Sequence, residues 1–131
     1  MKVIHTSGKR KRSIARATLE VGKGIVRING LKLENWHPGM YNLMVREALL
    51  LAGDTASSVD INVNVYGGGV SGQAQACRLA IARGLVEMKK DLEKTFLDYD
   101  RQLLVADVRR KETRKPARHG KARAKRQKSY R

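Results

Sequence analysis

VDINVNVYGGGVSG, residues 59–72, is the stretch with the clearest structural pattern in this sequence. Its first eight residues alternate between apolar and polar side chains, which is typical of a β-strand with one buried face. The side chains that this strand turns inward are Val59, Ile61, Val63 and Val65. Glycines at positions 67, 68, 69 and 72 follow at once, so we predict a tight turn that leads from the strand into a helix.

The residues after the glycines predict a long helix that ends near Met88. Apolar residues recur there at helical spacing and form one stripe, Ala74, Cys77, Ile81, Leu85 and Met88. A neighbouring row contains only small residues, Ala76, Ala80 and Gly84, and would let another element approach closely. Residues 89–100 predict a continuing charged amphipathic helix, and residues 103–106 form the last apolar patch.

On the N-terminal side, residues 14–21 alternate as a half-buried strand does. The predicted inward side chains are Ala15, Ala17, Leu19 and Val21. Residues 9–12 are basic on both faces, so we expect the chain to reach this strand as a basic arm outside the sheet, over residues 1–13.

A hairpin is predicted between residues 25 and 34. Asn29-Gly30 favours a two-residue turn, because both central positions of such a turn require positive φ. The register then places Ile28 opposite Leu31, and Arg27 opposite Lys32 on the other side. Like charges that face each other destabilise a strand pair, unless an anion lies over them.

An apolar-rich helix is predicted over residues 40–52, after Pro38-Gly39. Its predicted buried face consists of Met40, Met44, Ala48 and Leu51. Gly53 follows the last helical residue and is the expected C-cap, since glycine adopts the left-handed conformation that ends many helices.

The formal charge of +16 is unevenly distributed along the chain. Residues 109–131 hold twelve Lys or Arg and one acid, a net +11. Residues 1–16 hold six basic groups and no acid, whereas residues 17–108 have a net charge of −1. Ordering the backbone costs about 1–2 kcal/mol per residue, and the few small apolar side chains of residues 109–131 do not offset this. We therefore predict a globular domain, residues 1–108, and an extended tail that acquires shape only against a polyanion.

Composition excludes several classes of protein. A single cysteine, Cys77, excludes an internal disulfide and a multi-thiolate zinc site, and it suits a reducing compartment. No apolar run approaches the length that spans a bilayer, and the N-terminus lacks the apolar core of a signal peptide. The expectation is a cytoplasmic, soluble protein with an acidic partner and no membrane contact.

The loop over residues 67–72 fits G-x-G-x-x-G between a strand and a helix, the context of a dinucleotide site. Three interpretations stay open. The loop could hold a nucleotide, it could be a tight turn that needs positive φ, or its amides at a helix N-terminus could lie against an RNA phosphate. Gln73-Ala74 stands where a P-loop has its lysine and hydroxyl residue, which argues against that type of phosphate site.

No pattern argues for catalysis, a metal or a cofactor. The three histidines, His5, His37 and His119, have no partner at metal-ligand spacing. Cys77 lies on the buried stripe and is expected to be a core residue. The serines lack a nucleophile context, and no pair of carboxylates is set apart for acid–base work. We expect neither an enzyme nor a small-molecule substrate.

Taken together, the motifs resemble one family, the ninth protein of the small ribosomal subunit, or universal S-nine family, in its archaeal and eukaryotic style. The N-terminal motifs are Gly8-Lys9-Arg10-Lys11, Ala15-Arg16-Ala17-Thr18, Gly22-Lys23-Gly24 and Asn29-Gly30. The central motif is Gly67-Gly68-Gly69-x-x-Gly72-Gln73-Ala74, with Arg78 and Ile81-Ala82-Arg83 after it. The tail motifs are Asp107-x-Arg109, Lys121-Ala122-Arg123 and Gln127-Lys128-Ser129-Tyr130-Arg131.

The chain departs from the usual family pattern at four positions. Gly84 stands where alanine is usual, which indicates a looser helix at that point. Lys111 and Thr113 interrupt the usual run after Arg109, and Arg126 replaces an aromatic residue.

The resemblance implies an α+β fold, with a small mixed four-stranded sheet, helices packed on one face and an extended basic C-terminal tail. It also implies a structural constituent of the small ribosomal subunit, seated on the ribosomal RNA of the head beside other head proteins. The tail would reach the anticodon stem-loop of the P-site tRNA. Two alternatives stay open, a protein that compacts nucleic acid without specificity and a nucleotide-binding enzyme that uses residues 67–72.

Basic charge, the glycine loop and the resemblance together give the predicted contact residues. Those expected to bind ribosomal RNA are Lys9, Arg10, Lys11, Arg12, Arg16, Gly67, Gly68, Gly69, Gln73, Arg78, Arg83, Arg109, Arg110, Lys111, Arg114, Lys115, Arg118, Lys121 and Arg123. Those expected to face the tRNA are Lys128, Ser129, Tyr130 and Arg131.

Overall fold

The computed structural model describes residues 2–117 and 122–123. The strands are β1 Ile4–Arg10, β2 Ser13–Val21, β3 Val26–Ile28, β4 Leu31–Lys32 and β5 Val59–Tyr66. The helices are α1 Met40–Ala52, α2 Asp54–Ser57, α3 Val70–Met88 and α4 Leu92–Tyr99, with 3-10 turns at Leu33–Asn35 and Arg101–Leu103. Of the predicted contact residues, Arg118, Lys121, Lys128, Ser129, Tyr130 and Arg131 lie outside the described part.

The strands form one mixed sheet in the order β1-β2-β5-β3-β4. Only β3 and β5 pair in parallel, and α1 lies in the connection between them. The α+β class, the mixed sheet and the packing of helices on one face are confirmed. The hairpin register is also confirmed, because Arg27 pairs with Lys32 and Ile28 with Leu31.

The sheet has five strands rather than four, because residues 4–10 form the edge strand β1 instead of an arm outside the sheet. β1 pairs with β2 from Ile4 opposite Leu19 to Arg10 opposite Ser13. Cations on both faces do not prevent this pairing. Lys9 faces away from the helices, and Arg10 lies at the strand end, where Gln75 supplies a partner for its guanidinium.

The long helix α3 covers the sheet through its row of small residues, as that row predicts. A Cβ atom placed on Gly8 would lie 2.7 Å from the backbone nitrogen of Ala80, so glycine is needed where β1 meets the helix. Thr6 fixes the same contact by donating its hydroxyl to the Ala80 carbonyl at 2.8 Å. At Gly84 an added Cβ would clash with the side chain of Leu19. Gly84 therefore reflects close packing rather than a looser helix.

The buried face of α1 differs from the predicted one. Met40 is 66% exposed, whereas Val45 and Ala48 are fully buried and Ala52 is nearly so. In a helix this rich in apolar residues more than one stripe is apolar, so periodicity alone does not identify the face that packs on α3. Likewise Val21 lies at the end of β2 and is exposed.

The helical pattern after Met88 is interrupted rather than continuous. Lys89 is extended, and α4 begins at Leu92. The break lets α4 fold back on α3 and α1, with Phe96 fully buried. Leu103 then ends the core, since its side chain is fully buried just before the basic residues begin.

Two polar side chains join β5 to the chain around β3. Asn29 donates its side-chain amide to the Val65 carbonyl at 3.0 Å and accepts from the Val65 amide at 2.8 Å. The carboxylate of Asp60 accepts from the backbone amides of Lys23 at 2.8 Å and Ile25 at 3.0 Å. The bonds from Ile25 and then Lys23 lower the pKa of Asp60 below its usual value.

Candidate nucleic-acid interface

Three segments that are far apart in sequence line one cleft of about 1290 Å³. They are the end of β1 with the β1–β2 turn, the glycine loop, and the chain from residue 109 onward. The lining residues are Lys9, Arg10, Lys11, Arg12, Ser13, Ile14, Gly68, Gly69, Ser71, Gly72, Arg109, Arg110, Lys111, Glu112, Thr113 and Arg114. We call this the basic cleft. It brings together most of the predicted RNA-binding residues within the described chain.

The β1–β2 turn carries two of these cations at its tip. Arg10 pairs with Ser13, which leaves Lys11 and Arg12 as the two turn residues. Lys11 has a φ of 54°, as tight hairpin turns require. Both side chains are exposed and therefore available to a ligand.

The glycine loop is shaped by its contact with this turn. Gly67 and Gly68 have φ values of 80° and 63°. A Cβ on Gly67 would lie 2.5 Å from the Arg12 carbonyl oxygen, and one on Gly68 would meet Ser13. The loop is also held from inside, because the Ser13 hydroxyl at 2.9 Å and the Gln73 amide at 3.2 Å both donate to the Gly67 carbonyl. The tight-turn interpretation therefore has direct support, and it accounts for the first two glycines without a nucleotide.

Asp107 attaches the last segment to the first. Its carboxylate lies 2.8 Å from Arg10 Nη1 and accepts from Arg109 Nη2 at 2.6 Å and Arg109 Nε at 3.0 Å. These bonds from Arg109, together with the charge of Arg10, hold the pKa of Asp107 well below its usual range. Its side chain is only 13% exposed, so it is a shielded anion between two cations. Asp107 is absent from the predicted site, and its place just before a run of cations is the signal that identifies it.

The cleft keeps most of its positive charge despite two acids, Glu112 in its lining and Asp107 in contact with two of its arginines. Asp107 pairs with Arg10 and Arg109, and Glu112 pairs with Arg123 at 2.7 Å. The hydrogen bonds from Arg123 lower the pKa of Glu112, which stays ionised near neutral pH. Arg110 donates to the Asp107 carbonyl at 2.8 Å, so it supports the backbone at the start of the tail.

Two further predicted contact residues, Arg78 and Arg83, also have partners within the protein. Arg78 Nη2 lies 2.7 Å from Glu47 Oε2 and 3.2 Å from Asp100 Oδ2, with its side chain 13% exposed. Arg83 donates to the carbonyls of Leu104 and Ser7, both at 3.1 Å. These contacts give both arginines a structural role, and their contact with RNA stays a prediction.

Arg16 lies apart from the cleft, on the face of the sheet opposite α3. Its guanidinium carbon is 5.9 Å from the centre of the Tyr66 ring, within cation–π range. Lys115 is exposed beyond the cleft-lining residues.

Other kinds of site have no counterpart in the part of the chain that the structure describes. Its histidine, cysteine and acidic residues form no group of three that could hold a metal ion. Cys77 is fully buried, and burial raises the pKa of its thiol to about 12, so it is not a nucleophile. No helix among the described residues is both long enough and apolar enough to cross a bilayer.

This geometry defines a class of protein, a small α+β domain with a strongly cationic surface. Comparison with known proteins then gives the family. Residues 8–131 match the family described as ribosomal protein S9/S16, and the chain belongs to this family. It is 48% identical to the small ribosomal subunit protein uS9 of Methanococcus maripaludis, over all of both chains. It is 50% identical to uS9 of Methanothrix thermoacetophila, again over the full length of both.

Proposed function

We propose that this chain is a structural constituent of the small ribosomal subunit that binds head-domain ribosomal RNA through the basic cleft and the tail. The observation that carries the proposal is the basic cleft itself, in a chain whose full-length relatives are named small ribosomal subunit protein uS9. Its place of action is the ribosome, in the cytoplasm, and neighbouring head proteins are its protein partners.

The physical basis of binding is the neutralisation of RNA phosphates by side chains that the fold has already gathered. Folding places like charges beside one another in the cleft, which is unfavourable without counterions. A phosphate backbone relieves this repulsion, and the release of its own counterions adds a salt-dependent driving force. The arginines also suit the task, since guanidinium groups bind phosphates in pairs of hydrogen bonds and stack on bases.

The turn cations provide a direct test of the cleft. Removing Lys11 and Arg12 together, as Lys11→Ala with Arg12→Ala, should reduce the salt slope of log affinity for head-domain RNA by about 1.4, at about 0.7 per single-strand phosphate contact. The measurement is a binding titration of the full chain at several salt concentrations.

Lys90→Ala with Lys94→Ala is the matched control for that titration. It removes the same charge from exposed positions next to and within α4, and it should leave the slope unchanged. If the two double variants reduced the salt slope equally, the result would contradict a role for the cleft. The net charge of the chain would then be sufficient to explain RNA binding. Equal affinity of the wild-type chain for duplex DNA would instead support non-specific compaction.

The end of the tail has a narrower role in this proposal, contact with the anticodon stem-loop of P-site tRNA. It rests on the family resemblance of residues 127–131 and on the charge of Lys128 and Arg131. Deleting residues 128–131 should leave assembly of the small subunit intact but increase the dissociation rate of P-site tRNA several-fold. Unchanged tRNA dissociation from subunits that contain the truncated chain would refute this role.

A further inference from the structure

The face of the sheet opposite α3 is an open, polar surface, which we call the open face. One residue from each strand lies in a single cross-strand row on it, in the order Lys32, Arg27, Asn62, Thr18 and His5. A parallel row contains Ser7, Arg16 and Asn64, and a third contains Lys9, Ile14 and Tyr66. Neighbouring strands lie about 4.8 Å apart, so the first row spans roughly 19 Å.

The charge on the open face is mostly positive. Its cations are Lys9, Arg16, Arg27 and Lys32, and its acids are Glu20 and Asp60. The two acids are paired opposite each other at one end of the face. The carboxylate of Asp60 already accepts two backbone amides, so it has little capacity left to attract a cation. The rest of the face has no acidic side chain on the five strands.

Arg27 and Lys32 lie directly opposite each other on β3 and β4, and both are exposed. Such a like-charge pair weakens a hairpin whose return strand has only two residues. An anion held between the two side chains converts this repulsion into attraction. Within the described residues neither cation forms an ion pair with a carboxylate. The charge of Arg27 acts on Asp60, whose carboxylate already accepts two backbone amides, and Lys32 has no such neighbour in the described part of the chain.

Tyr66 adds a second kind of contact at the other end of the face. Its ring is 50% exposed, and the guanidinium of Arg16 lies near it. An exposed aromatic ring beside an arginine on a sheet is a platform on which an unpaired base can stack. Lys9, in the same cross-strand row as Tyr66, also lines the basic cleft, so the two surfaces are continuous.

We propose that the open face binds a single-stranded segment of RNA, with a phosphate between Arg27 and Lys32 and a base stacked on Tyr66. The inference rests on the proposed function and extends it to a second surface of the same domain. The positive charge of the open face is complementary to RNA. In addition, Ile14 is the only aliphatic apolar side chain in the three rows, so the face offers little apolar area to a protein partner. The RNA segment would run from the basic cleft across the sheet to the β3–β4 hairpin.

The paired cations give the first test. In the full chain, Arg27→Ala with Lys32→Ala should reduce affinity for head-domain ribosomal RNA about 20-fold at 0.1 M salt, with a salt slope smaller by about 1.4. The melting temperature of the free protein should change little, because the substitution removes the repulsion between Arg27 and Lys32 together with the weaker attraction between Arg27 and Asp60. Lys90→Ala with Lys94→Ala again serves as the control of equal charge, with affinity close to that of wild type.

Tyr66 gives the second test, which is independent of charge. Tyr66→Leu should weaken RNA binding about 10-fold, whereas Tyr66→Phe should bind like wild type, since base stacking needs the ring rather than the hydroxyl. Wild-type affinity and slope for the Arg27/Lys32 and Tyr66→Leu variants would overturn this inference and leave the proposed function intact. Absence of RNA binding by the wild-type chain would contradict both the inference and the proposed function. Unchanged RNA affinity with loss of a neighbouring protein from reconstituted subunits would assign the open face to a protein partner and also overturn the inference.

Discussion

At the scale of single residues, Asp107 determines how the basic tail leaves the domain. Among the described residues it is the one carboxylate that contacts both β1, through Arg10, and the start of the tail, through Arg109. Two arginines around one shielded carboxylate keep the start of the tail next to the β1–β2 turn and the glycine loop. A residue that reduces the net charge therefore organises a cationic surface.

The contribution of Asp107 to stability should depend on pH in a defined direction. Because its pKa in the folded protein is lowered, the stabilisation is complete above the unfolded value of about 3.9 and is lost as pH falls through the folded value. Asp107→Asn should therefore lower the melting temperature at pH 7, and the gap to wild type should narrow as the solution becomes strongly acidic. Thermal unfolding across this pH range measures it.

Asp107→Asn should also release the start of the tail. Amide hydrogen exchange at Arg109, whose N–H donates to Asp107 at 2.9 Å, should become faster in the variant at neutral pH. A gap in melting temperature that stayed constant or widened in strong acid would contradict this linkage, because protonation of Asp107 should remove the contribution that the variant lacks.

At the scale of elements, α3 lies close to the sheet because several contact positions have no side chain or only a methyl group. Gly8 and the small residues of α3 let the helix lie close to β1 and β2. The same closeness explains why Gly84 is tolerated within a helix, where glycine costs about 1 kcal/mol relative to alanine. The space that a Cβ would need is filled by Leu19, which is fully buried.

The effect of Gly84→Ala should change sign with the residue at position 19. With Leu19 present, the added methyl group overpacks the interface, and we expect net destabilisation of about 1 kcal/mol. In a Leu19→Val background, where space is available, the same substitution should stabilise by about 0.5–1 kcal/mol through helix propensity. Urea unfolding of the four proteins in the double-mutant cycle measures the coupling. Additive effects would mean that Leu19 does not restrict position 84.

At the scale of the whole molecule, the core and the basic surface use different residues. Among the described residues, the core consists of the inward side chains of the sheet, the buried faces of α1, α3 and α4, and Leu33, Trp36 and Leu103. From Val108 to Ala117 every residue is exposed. The described start of the tail therefore adds charge to the domain and little apolar contact.

Deleting residues 109–131 should separate the two roles. Because no apolar core is lost, we expect the melting temperature to change by less than about 5 °C, which corresponds to roughly 1 kcal/mol. Affinity for head-domain RNA should fall sharply, with a salt slope smaller by about 6 if about eight tail cations contact phosphates.

Phe96→Ala should give the converse result. Its free energy of unfolding should fall by about 3–5 kcal/mol, whereas the salt slope of RNA binding, measured under conditions where the variant is folded, should be unchanged. A truncated chain that fails to fold would show that the tail belongs to the domain.

Local sequence determined much of this protein. Strict alternation in Val59–Tyr66 and the Asn29-Gly30 turn predict their elements correctly, because neighbouring residues alone decide these patterns. The bounds of α1 and the charge contrast between residues 17–108 and the tail are likewise readable directly from the chain.

Only the tertiary structure decided how these parts meet. It placed residues 4–10 in the sheet, turned Val45 and Ala52 of α1 inward instead of Met40, and brought the β1–β2 turn, the glycine loop and residues 109–114 around one cleft. These outcomes depend on the packing of α3 against β1 and α1 and on the ion pair between Asp107 and Arg10. The α3–β1 contact and that ion pair join residues about 70 to 100 positions apart. No local pattern encodes such contacts, because their free energy exists only once the chain has folded.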